Sequence, residues 1–331
     1  MHVKIVIALA LVGALQGLGA QAPPASGAYQ AAAKEATLLP RLRSLLVSRR
    51  GEIVLERYFN GARATQLANI KSASKSVISA LVGIAIARGH LKDLDQPIVD
   101  FFPELLKDKD PAKRTITIED LVTMRSGLES TSGGNYGAWV QSPNWVRYVL
   151  NRPMTAEPGT RVEYSTGSSH LLSAIVSKAT KTSTWQFAQE HLAKPLGFTL
   201  ARWPADPQGI FFGGNEMLMT PRQMLAFGEL YAREGRKAAR QVVPKEWVEW
   251  SFIPRGRSRW GNDREYGGGW WIRELAGRPT YYAWGYGGQF IFVVPSRDLV
   301  IVTTSRSDVS RDRRDHNDAI YEIAAAIVGA T

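Results

Sequence analysis

Runs of strand length stand near both ends of this chain, and the long stretch between them reads as helix. Early on, Leu45-Leu46-Val47-Ser48 and Glu52 to Phe59 flank a turn at Arg49-Arg50-Gly51. After about residue 265, Gly269 to Leu275, Thr280 to Trp284, Gln289 to Val294 and Leu299 to Thr304 follow one another across short Gly, Pro or Ser-Arg-Asp breaks, as in an antiparallel meander. Between them lie the apolar helix Val77 to Ala87, a second from Ile118 to Met124 after Thr117, and further helical runs at Leu171 to Ala179 and Trp185 to Leu192. A helical stretch from about Ala31 to Leu45 leads into the first strand, and Tyr321 to Val328 closes the chain. Strands drawn from both termini around a helical middle predict an α/β (α+β) fold: an antiparallel sheet flanked by helices, with an inserted helical domain. The expected α/β part covers about 28–66 and 205–331, the helical part about 67–204, and the cleft between them is the expected site.

The 331 residues are 44% hydrophobic and 21% charged, enough to bury a core without staples. There is no cysteine, which excludes thiolate catalysis and cysteine-built zinc sites. The net charge of +11 is scattered apart from Arg306, Arg311, Arg313 and Arg314. No nucleic-acid fold signature accompanies it, so it reads as a solvated basic face. At the N-terminus, Lys4 precedes an apolar run from Ile5 to Leu18, followed by Gly19, Ala20 and Ala22. This run falls short of the ~20 apolar residues of a bilayer span and has the layout of a signal peptide over residues 1–22. The expected mature protein, 23–331, is exported to a bacterial periplasm or the medium, without stable membrane insertion.

The sharpest chemical feature is Ser72-Ala73-Ser74-Lys75, immediately ahead of the apolar helix. Three residues apart at a helix start, Ser72 and Lys75 share a face. The helix N-terminus favours a developing alkoxide, and a desolvated lysine can take the hydroxyl proton. Alone, Ser-x-x-Lys is a weak motif that also fits a capping serine with a solvated lysine.

Its context decides. Asn69-Ile70-Lys71-Ser72-Ala73-Ser74-Lys75-Ser76, Leu81-Val82-Gly83, Gly89-His90-Leu91, Leu94-Asp95-Gln96-Pro97 and Phe102-Pro103-Glu104 resemble the class C β-lactamase-related serine hydrolases. Three further blocks follow in that family's order: Thr115 to Leu121 through Ser126-Gly127-Leu128, Glu157-Pro158-Gly159-Thr160 with Glu163-Tyr164-Ser165-Thr166, and Trp284-Gly285-Tyr286-Gly287-Gly288-Gln289. The resemblance covers most of the mature chain. It implies a β-lactamase/transpeptidase-like fold with Ser72 as nucleophile and Lys75 as its base, the Ser-x-x-Lys arrangement described for β-lactamases.

The resemblance further implies that Tyr164 is the tyrosine of a Tyr-x-Asn motif, sharing protons with nucleophile and leaving group, its phenol made more acidic by nearby cations. Thr166 stands where that motif has asparagine, and Ala283-Trp284-Gly285 stands where the family has Lys-Thr-Gly. Both departures weaken the case for a carboxylate-bearing β-lactam substrate. Thr166, Trp284, Gly285 and Tyr286 are expected to contact substrate, with the Ser72 and Tyr286 amides as oxyanion donors. Tyr136, in a Gly-rich loop, is a further candidate. The Gly-Tyr-Gly-Gly-Gln version resembles the branch of 6-aminohexanoate-dimer hydrolase and related esterases.

His170 reads as a packed residue, and Asp93, Asp95 and Asp100 as a solvated loop rather than metal ligands. The chain has no His-Glu-x-x-His, phosphate loop or Gly-x-Ser-x-Gly elbow. The expected activity is cleavage of a small ester or amide through an acyl-enzyme on Ser72, with no metal or cofactor and no nucleic-acid partner. The alternatives are a β-lactamase or D-alanyl-D-alanine carboxypeptidase, or a non-catalytic protein that has kept the fold for binding or sensing.

Overall fold

The computed structural model describes residues 27–257, 264–308 and 312–331. The expected signal peptide at 1–22 lies outside the described residues, as does Arg311 of the basic run. Eight strands form one sheet. In chain order they are β1 (Leu42–Arg49), β2 (Glu52–Tyr58), β3 (Gly256–Arg257), β4 (Glu265–Tyr266), β5 (Trp271–Leu275), β6 (Arg278–Gly285), β7 (Gln289–Val294) and β8 (Leu299–Ser305). Their spatial order is β2-β1-β8-β7-β6-β5-β4-β3, and every pairing is antiparallel. The C-terminal meander therefore runs as expected, and the N-terminal hairpin docks against its last strand.

The two faces follow from the two-residue period. Phe290, Phe292, Val294, Leu299 and Ile301 face one core, beneath helix α1 (Gly27–Ala36) and the closing helix α7 (Arg313–Gly329). Ile291, Val293, Val300 and Val302, from the same strands, face a larger core continuous with the helical middle. The helices of that middle that matter here are α2 (Ser74–Ala87), α3 (Ile118–Val122), α4 (Trp145–Leu150) and α5 (Thr166–Thr180), followed by α6 (Pro221–Ala232) against the sheet. The α3 start follows from its capping box, in which Thr117 and Asp120 exchange side chain-to-backbone bonds. No helix among the described residues is long and apolar enough to cross a membrane.

One expectation is corrected. The helix anticipated from Ala31 to Leu45 ends at Ala36, and Leu42 already begins β1. Pro40 disfavours helical backbone at Leu39. Beyond it, Leu42, Leu45 and Val47 are buried against the terminal helices while Leu46 faces the other core. Pairing with β2 and β8 on both sides overrides the local helical preference.

Candidate active site

Helix α2 is buried along almost its whole length because it runs through the interior. Its buried hydroxyls dock it: Ser76 donates to the Gly269 carbonyl and Ser79 to the Gly268 carbonyl, both at 2.6 Å. A tight turn, Lys71–Ala73, precedes the helix and carries Ser72. Lys71 sits in left-handed backbone at φ +51°, a strained conformation for a residue with a side chain. Its surroundings hold it there. The Lys71 amide donates to Asn69 Oδ1 at 3.0 Å, its ammonium pairs with Glu216 at 2.9 Å, and Ile70 N–H donates to the Met217 carbonyl at 2.9 Å. Asn69 Nδ2 also donates to Glu216, and Ala68–Asn69 pairs with Leu218–Met219.

From the sheet side, β6 ends against the same turn at Gly285. A methyl group on Gly285 would lie 2.1 Å from the Ile70 carbonyl oxygen. Because that obstacle is backbone, Gly285→Ala is expected to push β6 off the Ser72 turn. About a 10²-fold loss in kcat/KM is expected for a displacement near 1 Å, with roughly 1–3 kcal/mol of destabilisation. Urea melts beside an ester assay check this, and a fully active Gly285→Ala would show that the contact is not needed.

Ser72 is half-buried and Lys75 is 4% exposed. Lys75 Nζ lies 3.1 Å from Ser72 Oγ, 2.7 Å from the Gly214 carbonyl oxygen and 3.3 Å from Thr166 Oγ1. No carboxylate is among these partners. Burial therefore dominates and lowers the Lys75 ammonium to a pKa of about 7. The Ser72–Lys75 spacing read from sequence is a real hydrogen-bonded pair.

Tyr164 comes two residues before α5, its carbonyl accepting from Ser130 Oγ at 2.7 Å. Its ring stands 4.9 Å from Lys75 Nζ and stacks on Trp271 at 5.4 Å, with Tyr266 edge-on at 5.9 Å. Burial raises the phenol well above its ordinary range, and a hydrogen bond with Ser72 only partly offsets this. That corrects the expectation of an acidified phenol. Desolvation outweighs the Ser72 hydrogen bond, so Tyr164 keeps its proton.

Thr166 opens α5 but faces inward. It is 4% exposed, and its hydroxyl lies between Lys75 Nζ and Ser132 Oγ, 2.9 Å away. Trp284 and Tyr286 are half-buried on either side of buried Gly285. Trp284 stands edge-on to Trp271 at 5.9 Å, which continues the aromatic wall from Tyr164. The turn after Gly285 is tied down behind: the Gly288 carbonyl accepts from Thr303 and Ser305, and Ser305 Oγ lies 2.9 Å from His316 Nε2. Tyr136 is brought to the loop beside Lys75, where its hydroxyl accepts from Asn215 Nδ2 at 2.6 Å.

His170 is a packed residue. Fully buried beside Trp139, Trp145 and Phe212, it meets Asp206 at 3.1 Å through Nε2 and accepts from Gly213 N–H at 3.4 Å through Nδ1. It thereby pins the loop whose next residue, Gly214, presents its carbonyl to Lys75. Sequence reasoning missed this loop, Gly213-Gly214-Asn215-Glu216. Its signal was the glycine pair: a methyl on Gly213 would lie 2.2 Å from the Ser169 carbonyl oxygen, and one on Gly214 would lie 3.2 Å from Lys75 Nζ.

Comparison with known proteins places the chain in a family. A Staphylococcus aureus protein, Protein flp, is 24% identical over 164 residues, covering 46% of this chain and 33% of that one. Protein Rv1367c of Mycobacterium tuberculosis is 32% identical over 154 residues, covering 40% of this chain and 38% of its own. The chain thus spans about two fifths of the length of that relative. Among solved structures, a Bacillus anthracis protein assigned as a 6-aminohexanoate-dimer hydrolase superposes with a TM-score of 0.74 at 21% identity, over 90% of this chain and 82% of the other. EstCE1, described as a hydrolase with promiscuous acyltransferase activity, gives 0.71 at 17% over 89% and 97%. A penicillin-binding protein from Bacillus halodurans gives 0.68 at 15% over 91% and 100%. The family model for beta-lactamase matches residues 41–325, from β1 into α7 and across every residue of the site. The chain belongs to the beta-lactamase family.

Proposed function

We propose that this protein is a serine hydrolase that cleaves small esters or amides through an acyl-enzyme on Ser72. The observation that carries the reading is Lys75: a buried amine 3.1 Å from the Ser72 hydroxyl, with no carboxylate among its described partners to hold it charged. As a free amine it takes the Ser72 proton while Oγ attacks the substrate carbonyl carbon. The oxyanion forms against the N–H groups of Ser72 and Tyr286. Tyr164, a neutral phenol, gives its proton to the departing oxygen or nitrogen and regains one from the Lys75 ammonium. Water then attacks the acyl group, loses a proton along the same route, and releases the acid with Ser72 reprotonated.

Two features favour esters and small amides over β-lactams. The end of β6 has buried Ala283 where the family's lysine would hold a substrate carboxylate, and the Thr166 hydroxyl is turned to Lys75 instead of the cleft. A charge-assisted hydrogen bond contributes roughly 1.5–3 kcal/mol. The kcat/KM for a short-chain nitrophenyl ester is therefore expected to exceed that for nitrocefin by about 10²-fold. Comparable nitrocefin turnover would overturn the substrate preference and favour the β-lactamase alternative. Acylation by neither substrate, nor by a fluorophosphonate, would favour the binding-protein alternative.

A further inference from the structure

Three acceptors surround Lys75 Nζ: Ser72 Oγ, the Gly214 carbonyl oxygen and Thr166 Oγ1. An ammonium carries three N–H donors, so its charged form is matched donor for acceptor. The Gly214 carbonyl can only accept. When Lys75 is charged, Thr166 must accept as well, and its own proton then goes to Ser132 Oγ at 2.9 Å. Ser132 is fixed in turn, because its oxygen accepts from the Thr166 backbone N–H at 2.9 Å, and the Ser132 N–H donates to Ser130 Oγ at 3.0 Å.

From this donor count we propose that Thr166 and Ser132 are positioning residues for Lys75, a two-hydroxyl brace that turns the lysine's lone pair toward Ser72. The inference rests on the reading of Lys75 as the base. When Lys75 gives up its third proton, two N–H bonds stay on Gly214 and Thr166, and the lone pair is left facing Ser72. Ser132 keeps the Thr166 proton pointing away. Without it, the Thr166 hydroxyl can rotate and donate to the lysine nitrogen, occupying the lone pair that Ser72 needs. The position that reads as a substrate contact in sequence acts, in this fold, behind the base.

The test is the pH dependence of kcat/KM for a nitrophenyl ester in Thr166→Val, Thr166→Ser and Ser132→Ala, beside fluorophosphonate labelling. Removing the Thr166 hydroxyl takes an acceptor from both lysine forms, but a charge-assisted bond is about twice as strong as a neutral one. The ammonium loses more, and the acid limb is expected to move down by about one pH unit in Thr166→Val. Its plateau kcat should fall about tenfold. Thr166→Ser should restore both, since it keeps the hydroxyl. In Ser132→Ala a similar fall in kcat with a lower acid limb is expected, because a rotated Thr166 hydroxyl stabilises the free amine. A residue that merely packs would change stability without moving the limb. Wild-type limb and plateau in Thr166→Val and Ser132→Ala would overturn the brace. Should Thr166→Val not fold, Ser132→Ala decides alone. Labelling keeps the two failures apart: modification at Ser72 with unmoved limbs sinks the brace only, whereas no modification at Ser72 in the unsubstituted enzyme sinks the reading beneath it.

Discussion

Ser72→Ala is expected to take ester turnover to background and to abolish labelling by a fluorophosphonate. The substitution removes the only atom that becomes acylated and leaves Lys75 its contacts with Gly214 and Thr166. Where nucleophile and base act as a unit, losing the nucleophile costs about as much as losing the whole set, on the order of 10⁶-fold in kcat. The control is Ser74→Ala. Ser74 is fully buried, and its hydroxyl has no hydrogen-bond partner among the described residues. Its loss relieves an unmet polar group instead of breaking a bond. Normal labelling in Ser74→Ala with none in Ser72→Ala confirms the assignment; the reverse pattern refutes it. Intact-mass analysis of the three proteins after incubation reads the result directly.

Lys75→Met is the second large effect, and its two consequences run in opposite directions. Activity should fall about 10²- to 10⁴-fold, the usual worth of general-base assistance. In the unsubstituted enzyme the amine must be unprotonated to act, so kcat/KM should rise with pH through an apparent pKa near 7. Stability moves the other way. Folding lowers this group's pKa to about 7, against about 10.4 for an unfolded lysine. Between those values the unfolded chain binds more protons, so stability rises with pH across that window. Below about pH 7 the buried charge exacts its full cost. Methionine fills the space without it, so Lys75→Met is expected to melt higher than wild type at pH 6, with the gap closing toward pH 10. A pH-independent rate, or a lower melting temperature at pH 6, would show that Lys75 is held charged and is not the base.

The parts of this molecule that could be read from sequence were those in which side chains carry the signal. The runs Gln289 to Val294 and Leu299 to Thr304 read as strands from their apolar character and the short breaks around them, and the structure places β7 and β8 there. Ser72 and Lys75 stood out by their spacing at a helix start, and Tyr164 by the resemblance of its block to the family's Tyr-x-Asn motif. The Ala31 to Leu45 stretch was misread because alanines and leucines suit a helix, while the pairing that makes Leu42–Arg49 a strand comes from residues far along the chain. The third contact of Lys75 was hidden for a different reason. Gly214 acts through its carbonyl oxygen, and no side chain announces a backbone acceptor. Thr166 was visible as a departure, but its direction was not: only its placement beside Ser132 shows that the hydroxyl turns inward.

The placement of β1 between β2 and β8 sets the order in which the chain can assemble. Ser44 and Thr304, hydrogen-bonded across that pairing, are 260 residues apart in sequence. So high a contact order makes folding slow, and in synthesis the sheet cannot close until nearly the whole polypeptide has left the ribosome. The β1–β2 hairpin can form early, but it waits with one edge of N–H and C=O groups unmet. A chain interrupted before Leu299 never covers that edge. Such truncated products are expected to associate edge to edge with one another, accumulating as aggregates instead of as a smaller folded enzyme.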